Sequence, residues 1–236
     1  MARRPPPGKC VHCTCSFDDL TWDHVFPESW YPETTPPNLE KWEIPACERC
    51  NQVYGQLEND LLIRFGLCLD PGDPKSLGIP EKAYRAIDSS YGKNSEDSRL
   101  REAKTTKLLG ETFMGSEIPR KGLYPNFDRT HGLPSEQQIG LLIKAESIAR
   151  LTEKIVRGIT FLEDGTFIEP PFTVNQYTLS DQRATPLISL LKTIGREYAR
   201  EPGIVIIRAT NQSNKVVALY AIEIWGRFKI YASVTR

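Results

Sequence analysis

The sequence predicts an α+β protein in three parts. These are a small cysteine-bearing module at residues 10–68, a helical and loop connector at 69–134, and a C-terminal α+β domain at 135–236 that ends in an antiparallel meander. Three observations carry this. Four of the six cysteines fall into two pairs, "CVHC" at 10–13 and "CERC" at 47–50. From Ser135 onward apolar residues recur at helical spacing. The chain then closes on "GIVIIRAT", "VVALYAIEIWG" and "RFKIYASV", runs rich in β-branched and aromatic residues and separated by the turn signals "NQSN" and "GR".

The bulk numbers bound the reading. A chain of 236 residues can bury a sizeable core, and 39% hydrophobic with 25% charged residues is ordinary for a soluble globular protein. No apolar run approaches the ~20 residues that span a bilayer, so no membrane partner is expected. The opening "MARRPPPGKC" is basic without an apolar core, unlike a secretory signal, and the cytoplasm is the default compartment. The formal net charge is zero, with 6 basic against 10 acidic residues in 1–67 and 13 against 9 in 137–236. Bulk charge therefore gives no support for nucleic-acid binding. Arg157, Arg183, Arg196, Arg200 and Arg208 are either a phosphate-facing set or ordinary surface arginines.

Taken in order, residues 1–9 are Pro-rich and expected to fray. The module predicts a short strand near 41–45 and a helix from about 48 to 65, with Tyr54, Leu57, Leu61 and Phe65 on its buried stripe and Asn51, Gly55 and Glu58 on the neighbouring one. Trp22, Phe26, Trp30 and Tyr31 are assigned to packing. "LDPGDPKSLGIPEK" at 69–82 reads as an exposed connector, a polar helix is expected near 96–109, and 114–134 breaks into loops. Ile139, Leu142, Ile143, Ile148, Leu151 and Ile155 predict a helix capped at Ser135. "TFIEPPFTVNQYTLS" reads as extended, and "DQRATPLISLLKTIGREYA" as a helix of about four turns. The edges of the final meander offer a homodimer seam, or a docking place for a regulatory partner.

Two Cys-x2-Cys pairs in a chain with no sign of secretion indicate a tetrahedral site for structural Zn2+, with Cys10, Cys13, Cys47 and Cys50 as ligands. Cys15 can compete with Cys13. His12 lies inside the first turn, where a supporting or solvent-facing place is expected, and Cys68 reads as a small buried residue. A zinc ion saturated by four thiolates does no chemistry. It would staple the turn at 10–13 to the start of the helix at 47, and so bring Asp23 and His24 of "TWDHVFPESW" face to face with Asn51.

Cys-x2-Cys, then Asp-His-Val-x-Pro, then Asn-Leu, then Cys-x2-Cys-Asn resembles the zinc-stapled HNH endonucleases of the ββα-metal fold, over about residues 10–67. The resemblance implies a metal-dependent endonuclease that hydrolyses DNA, leaving 5′-phosphate and 3′-hydroxyl ends. On it His24 would be the general base, and Asp23 and Asn51 would hold a catalytic Mg2+ or Mn2+, with Glu58 as a further ligand, a support for Asn51, or simply a solvated helix carboxylate. Asn38 would orient the base, although it stands nine residues before Cys47, further than is usual in the family. The residue types suit the task. Carboxylate and amide oxygens are hard ligands for Mg2+, and imidazole as a side-chain type accepts a proton near neutral pH. Two other readings remain: a non-catalytic zinc module that binds nucleic acid or protein, and a nuclease directed at RNA.

Overall fold

The computed structural model describes residues 4–119, 124 and 134–236. Its first strands, β1 (Gly8–Lys9) and β2 (Ser16–Phe17), pair across the first cysteine turn. Gly8 and Lys9, expected to fray, lie in a strand instead, and Lys9 Nζ meets Glu169 at 2.9 Å. β3 (Thr21–His24) pairs antiparallel with β4 (Glu43–Ala46), and α1 (Glu48–Gly66) follows at once with Cys47 as its N-cap. Tyr54, Leu61 and Phe65 face inward on α1, as their helical spacing requires. Phe26, Trp30 and Tyr31 are buried, but Trp22 is 39% exposed, because it alternates with buried Asp23 along the strand.

The connector is less open than its Pro and Gly content suggests. Within 69–82, α2 (Ile79–Arg85) begins after Gly78, which sits at φ +81°, and buries Ile79 and Ala83. It rests on α1 at Gly66, where an added Cβ would stand 2.6 Å from that of Ala83. α3 (Ser95–Gly110) is capped by the Asn94 side chain, which accepts from the Asp97 amide. The loops expected over 114–134 lie mostly outside the described residues.

The helix expected from Ser135 starts ten residues late. Residues 139–141 form β6 (Ile139–Leu141) against β5 (Thr112–Met114), Ile139 is 64% exposed, and α4 runs only from Ala145 to Asp164. Apolar residues this close together satisfy a short strand as well as a helical turn, and the edge of β5 supplies the strand's partners. Ile148, Leu151, Ile155 and Ile159 of α4 are buried, each fully buried aliphatic side chain contributing about 1.5–3 kcal/mol.

β7 (Thr173–Tyr177) and α5 (Asp181–Ile194) follow. The helix stops at Gly195, and the "REYA" read with it becomes β8 (Arg196–Arg200) beside β9 (Ile204–Thr210). With β10 (Ala218–Ile224) and β11 (Phe228–Thr235) these strands build a five-stranded antiparallel sheet in the order β7-β11-β10-β9-β8. The meander predicted from the closing residues is its centre, and the fold class is α+β.

One apolar core runs through both ends of the chain. Val25, Phe26, Trp30 and Phe65 of the cysteine module pack in the same cluster as Leu151 and Ile155 of α4 and Ile206, Ile224, Trp225 and Phe228 of the sheet. Trp225, at φ +50° in the β10–β11 turn, donates its indole N–H to the Trp30 carbonyl at 2.8 Å. α4 comes close to the module where Gly158 meets Val25, and a Cβ there would lie 2.6 Å from a Val25 methyl. No helix among the described residues is long and apolar enough to cross a membrane.

Candidate metal cluster and the Asp23–His24 strand

Each cysteine pair sits on a backbone that bends sharply. The first turn closes with the Thr14 amide donating to the Cys10 carbonyl at 2.9 Å, and Thr14 takes φ +60°. The second is the first turn of α1, where the Asn51 amide donates to Cys47 O at 3.0 Å. The β3–β4 hairpin and the bond from Val11 N to Pro45 O bring the turns together. The Sγ atoms of Cys10, Cys13, Cys47 and Cys50 all lie within 4.8 Å of one another, a group able to hold a metal ion such as zinc. Burial raises the Cys10 thiol, and burial with the Cys47 side chain pushes the Cys50 thiol up further. Crowded thiols of this kind become thiolates when a cation compensates them. Cys15 stays outside the group, its thiol directed at the Cys13 carbonyl. Cys68 is partly buried, and burial raises its thiol to about 11.

β3 splits the Asp-His pair between two environments. Asp23 points inward and is 6% exposed. Its Oδ2 lies 2.7 Å from His12 Nε2, and its Oδ1 accepts from Lys154 Nζ at 3.0 Å. Lys154 comes from α4, is 0% exposed, and also donates to Glu58 of α1. Burial lowers the affinity of His12 for a proton in spite of the neighbouring carboxylate, and an ionised Asp23 accepts from whichever form carries a proton on Nε2. Burial alone would raise the Asp23 carboxyl, but the His12 hydrogen bond and the Lys154 charge outweigh it and hold Asp23 below the ordinary carboxylate value. Glu58 goes the other way: burial raises it to about 7 in spite of Lys154. One ammonium balances one carboxylate here, and the second is left to hold its proton up to neutral pH.

His24 faces the other side. Its side chain is 25% exposed, and its Nε2 lies 3.4 Å from Oε1 of Glu43, the residue opposite it across the β3–β4 ladder. The Asn51 side chain donates to Thr21 Oγ1 at 3.1 Å and to the Trp22 carbonyl at 3.2 Å, tying α1 to β3. Asn38 is exposed in the loop before β4.

The structure thus brings together the four cysteines, and separately Asp23 with Glu58. It keeps His24 on the opposite face from Asp23, and the carboxylate beside His24 is Glu43. The divalent cation implied at Asp23 and Asn51 does not fit these residues as they stand. Both Asp23 oxygens are engaged, one by an ammonium, and Asn51, held to the strand through its amide nitrogen, has only its oxygen to offer. Lys154, His12 as the partner of Asp23, and Glu43 are residues that the motif does not point to. A signal existed for Lys154, which stands three residues after Leu151 and one before Ile155, a lysine on the edge of an apolar stripe. Glu43 was legible only through strand register.

The arginines do not form one phosphate-facing set. Arg208 is buried on Asp164 at 2.5 Å and Tyr220 at 3.1 Å, which the surface reading did not foresee. Arg157 pairs with Glu153, Arg196 with Glu163, and Arg200 lies over the Trp42 ring, while Arg183 is exposed. No family model matches this chain, and no curated protein or solved structure is significantly similar to it.

Proposed function

We propose that the β3–β4–α1 module is an endonuclease that hydrolyses phosphodiester bonds in DNA, with His24 as general base and Zn2+ held by Cys10, Cys13, Cys47 and Cys50 as a structural ion. The observation that supports it best is the placing of His24. It stands on the open face of a ββα unit stapled at the four-cysteine cluster, with a carboxylate beside its ring. With the Glu43 carboxylate 3.4 Å from Nε2, the tautomer that carries its proton there leaves Nδ1 with the lone pair that a base needs to take a proton from an attacking water. No step is assigned to a divalent cation, because Asp23 is engaged by Lys154 and His12.

A second reading has its own support. With Asp23 and Glu58 already neutralised, the module can serve as a zinc-stapled platform that binds nucleic acid or protein without cleaving it. A plasmid-nicking assay decides between them. The full zinc-loaded chain is compared with His24→Ala in Mn2+ or Mg2+, both as wild type and in a Lys154→Met background. Nicking that vanishes with His24→Ala in either background is expected. His24→Ala should change stability by less than about 1 kcal/mol, since the side chain is partly exposed. Absence of His24-dependent cleavage of duplex DNA, single-stranded DNA and RNA in both backgrounds favours the platform, and cleavage confined to RNA changes the substrate.

A further inference from the structure

The buried carboxylates of the module are compensated from a distant part of the chain. Lys154 reaches Asp23 across 131 residues and Glu58 across 96. Its ammonium is 0% exposed, so it touches no solvent and no phosphate, and its place in the fold is between a carboxylate on β3 and one on α1. Strand and helix carboxylates facing each other across a ββα unit make the kind of hard oxygen pair that takes Mg2+ or Mn2+. Here the gap between them is filled by a side chain. α4 can deliver it because Gly158, one turn further along the same face, lets the helix lie against Val25.

We propose that Lys154 is a built-in cation that plugs the divalent-metal position of this module, so that α4 decides whether Asp23 and Glu58 can take a metal ion. This deepens the nuclease reading and rests on it only for the use to which the metal would be put. The wild-type chain then takes no divalent cation at Asp23, although the carboxylates are in place. Withdrawal of α4, or loss of the ammonium, exposes a pair whose two negative charges suit one divalent ion better than one monovalent group. Lys154 is a positioning residue in this scheme. It holds Asp23 and Glu58 and is too deeply buried to meet substrate.

The test reads metal binding and does not require activity. Free Mn2+ is followed by electron paramagnetic resonance during titration into zinc-loaded full chain, as wild type, Lys154→Met, and Lys154→Met with Asp23→Asn. Wild type should bind no Mn2+ beyond the level of the double variant. Lys154→Met should gain one ion per chain with an affinity at least about tenfold above that level, and lose it again with Asp23→Asn. Mn2+ should also raise the melting temperature of Lys154→Met alone. Should Lys154→Met not fold, Lys154→Gln, which removes the charge but keeps both carboxylates and a hydrogen-bond donor between them, replaces it. Asp23-dependent binding of Mn2+ by wild type overturns the proposal, and so does a folded Lys154 variant that gains none. Gain of Mn2+ without nicking would leave the plug standing and the nuclease reading fallen. Nicking by a wild type that binds Mn2+ at Asp23 would do the reverse.

Discussion

α1 carries two clusters of ligand-type side chains, one at its start and one two to three turns on, and they are compensated differently. At the start, four thiols converge within 4.8 Å of one another. Further along, Glu58 meets Asp23 with the Lys154 ammonium between them. The first cluster could hold an ion from solution. The second is closed by the chain itself, at the cost of burying a lysine. The first is local: each pair of ligands spans four residues, and a hairpin joins them. The second exists only because α4 is folded against the module.

The largest effect is expected at the cysteine group. Cys47→Ala removes one of the four converging thiols, at the start of α1. Structural zinc sites contribute on the order of 10 kcal/mol to folding, so we expect loss of bound zinc and a fall in melting temperature of about 10–20 °C or more. Metal analysis alongside thermal unfolding checks it, and a variant that keeps both its zinc and its melting temperature would remove the staple from the account.

Lys154→Ala should come next, at about 3–5 kcal/mol, because it leaves buried carboxylates without a counter-charge. Added zinc should not restore the loss, whereas Asp23→Asn in the same chain should recover part of it. Urea unfolding of the two single variants and the double variant gives the coupling directly, and strict additivity would show that Lys154 and Asp23 do not stabilise one another.

The smallest effect lies in pH. Glu58 is raised from 4.5 to about 7 in the folded chain, so between those values the folded state holds more proton than the unfolded one. Its contribution to stability is complete below pH 4.5 and is lost as pH rises through 7, by about 3 kcal/mol at most. Asp23 has the opposite sign, since its folded value is depressed and its contribution is lost as pH falls below its ordinary value. Unfolding midpoints of wild type and Glu58→Gln across this range isolate the first term. Parallel curves for the two chains would mean that Glu58 carries no such shift.

Much of the frame was legible in advance. The stripe Tyr54, Leu61, Phe65 is periodic, and periodicity within one helix needs no knowledge of what covers it. The same holds for the final strands. The misread segments were short ones whose partner decided the outcome. Residues 139–141 became a strand because β5 lay alongside, and 196–200 because β9 did. At the site, the sequence placed the cysteines and the Asp-His pair but not their surroundings. Adjacent strand residues point to opposite faces, so Asp23 and His24 could not share one environment once β3 had a buried side.

The sequence by itself determined the four-cysteine group, the α1 helix and the terminal meander, because spacing, capping and apolar period act over a few residues. Only the tertiary structure decided what Asp23 does. Its partners His12 and Lys154 arrive from a turn 11 residues away and from a helix 131 residues away, and no local rule couples a lysine to a carboxylate at that separation. Burial then sets the outcome, since in a site this dry each carboxylate must find a proton or a cation.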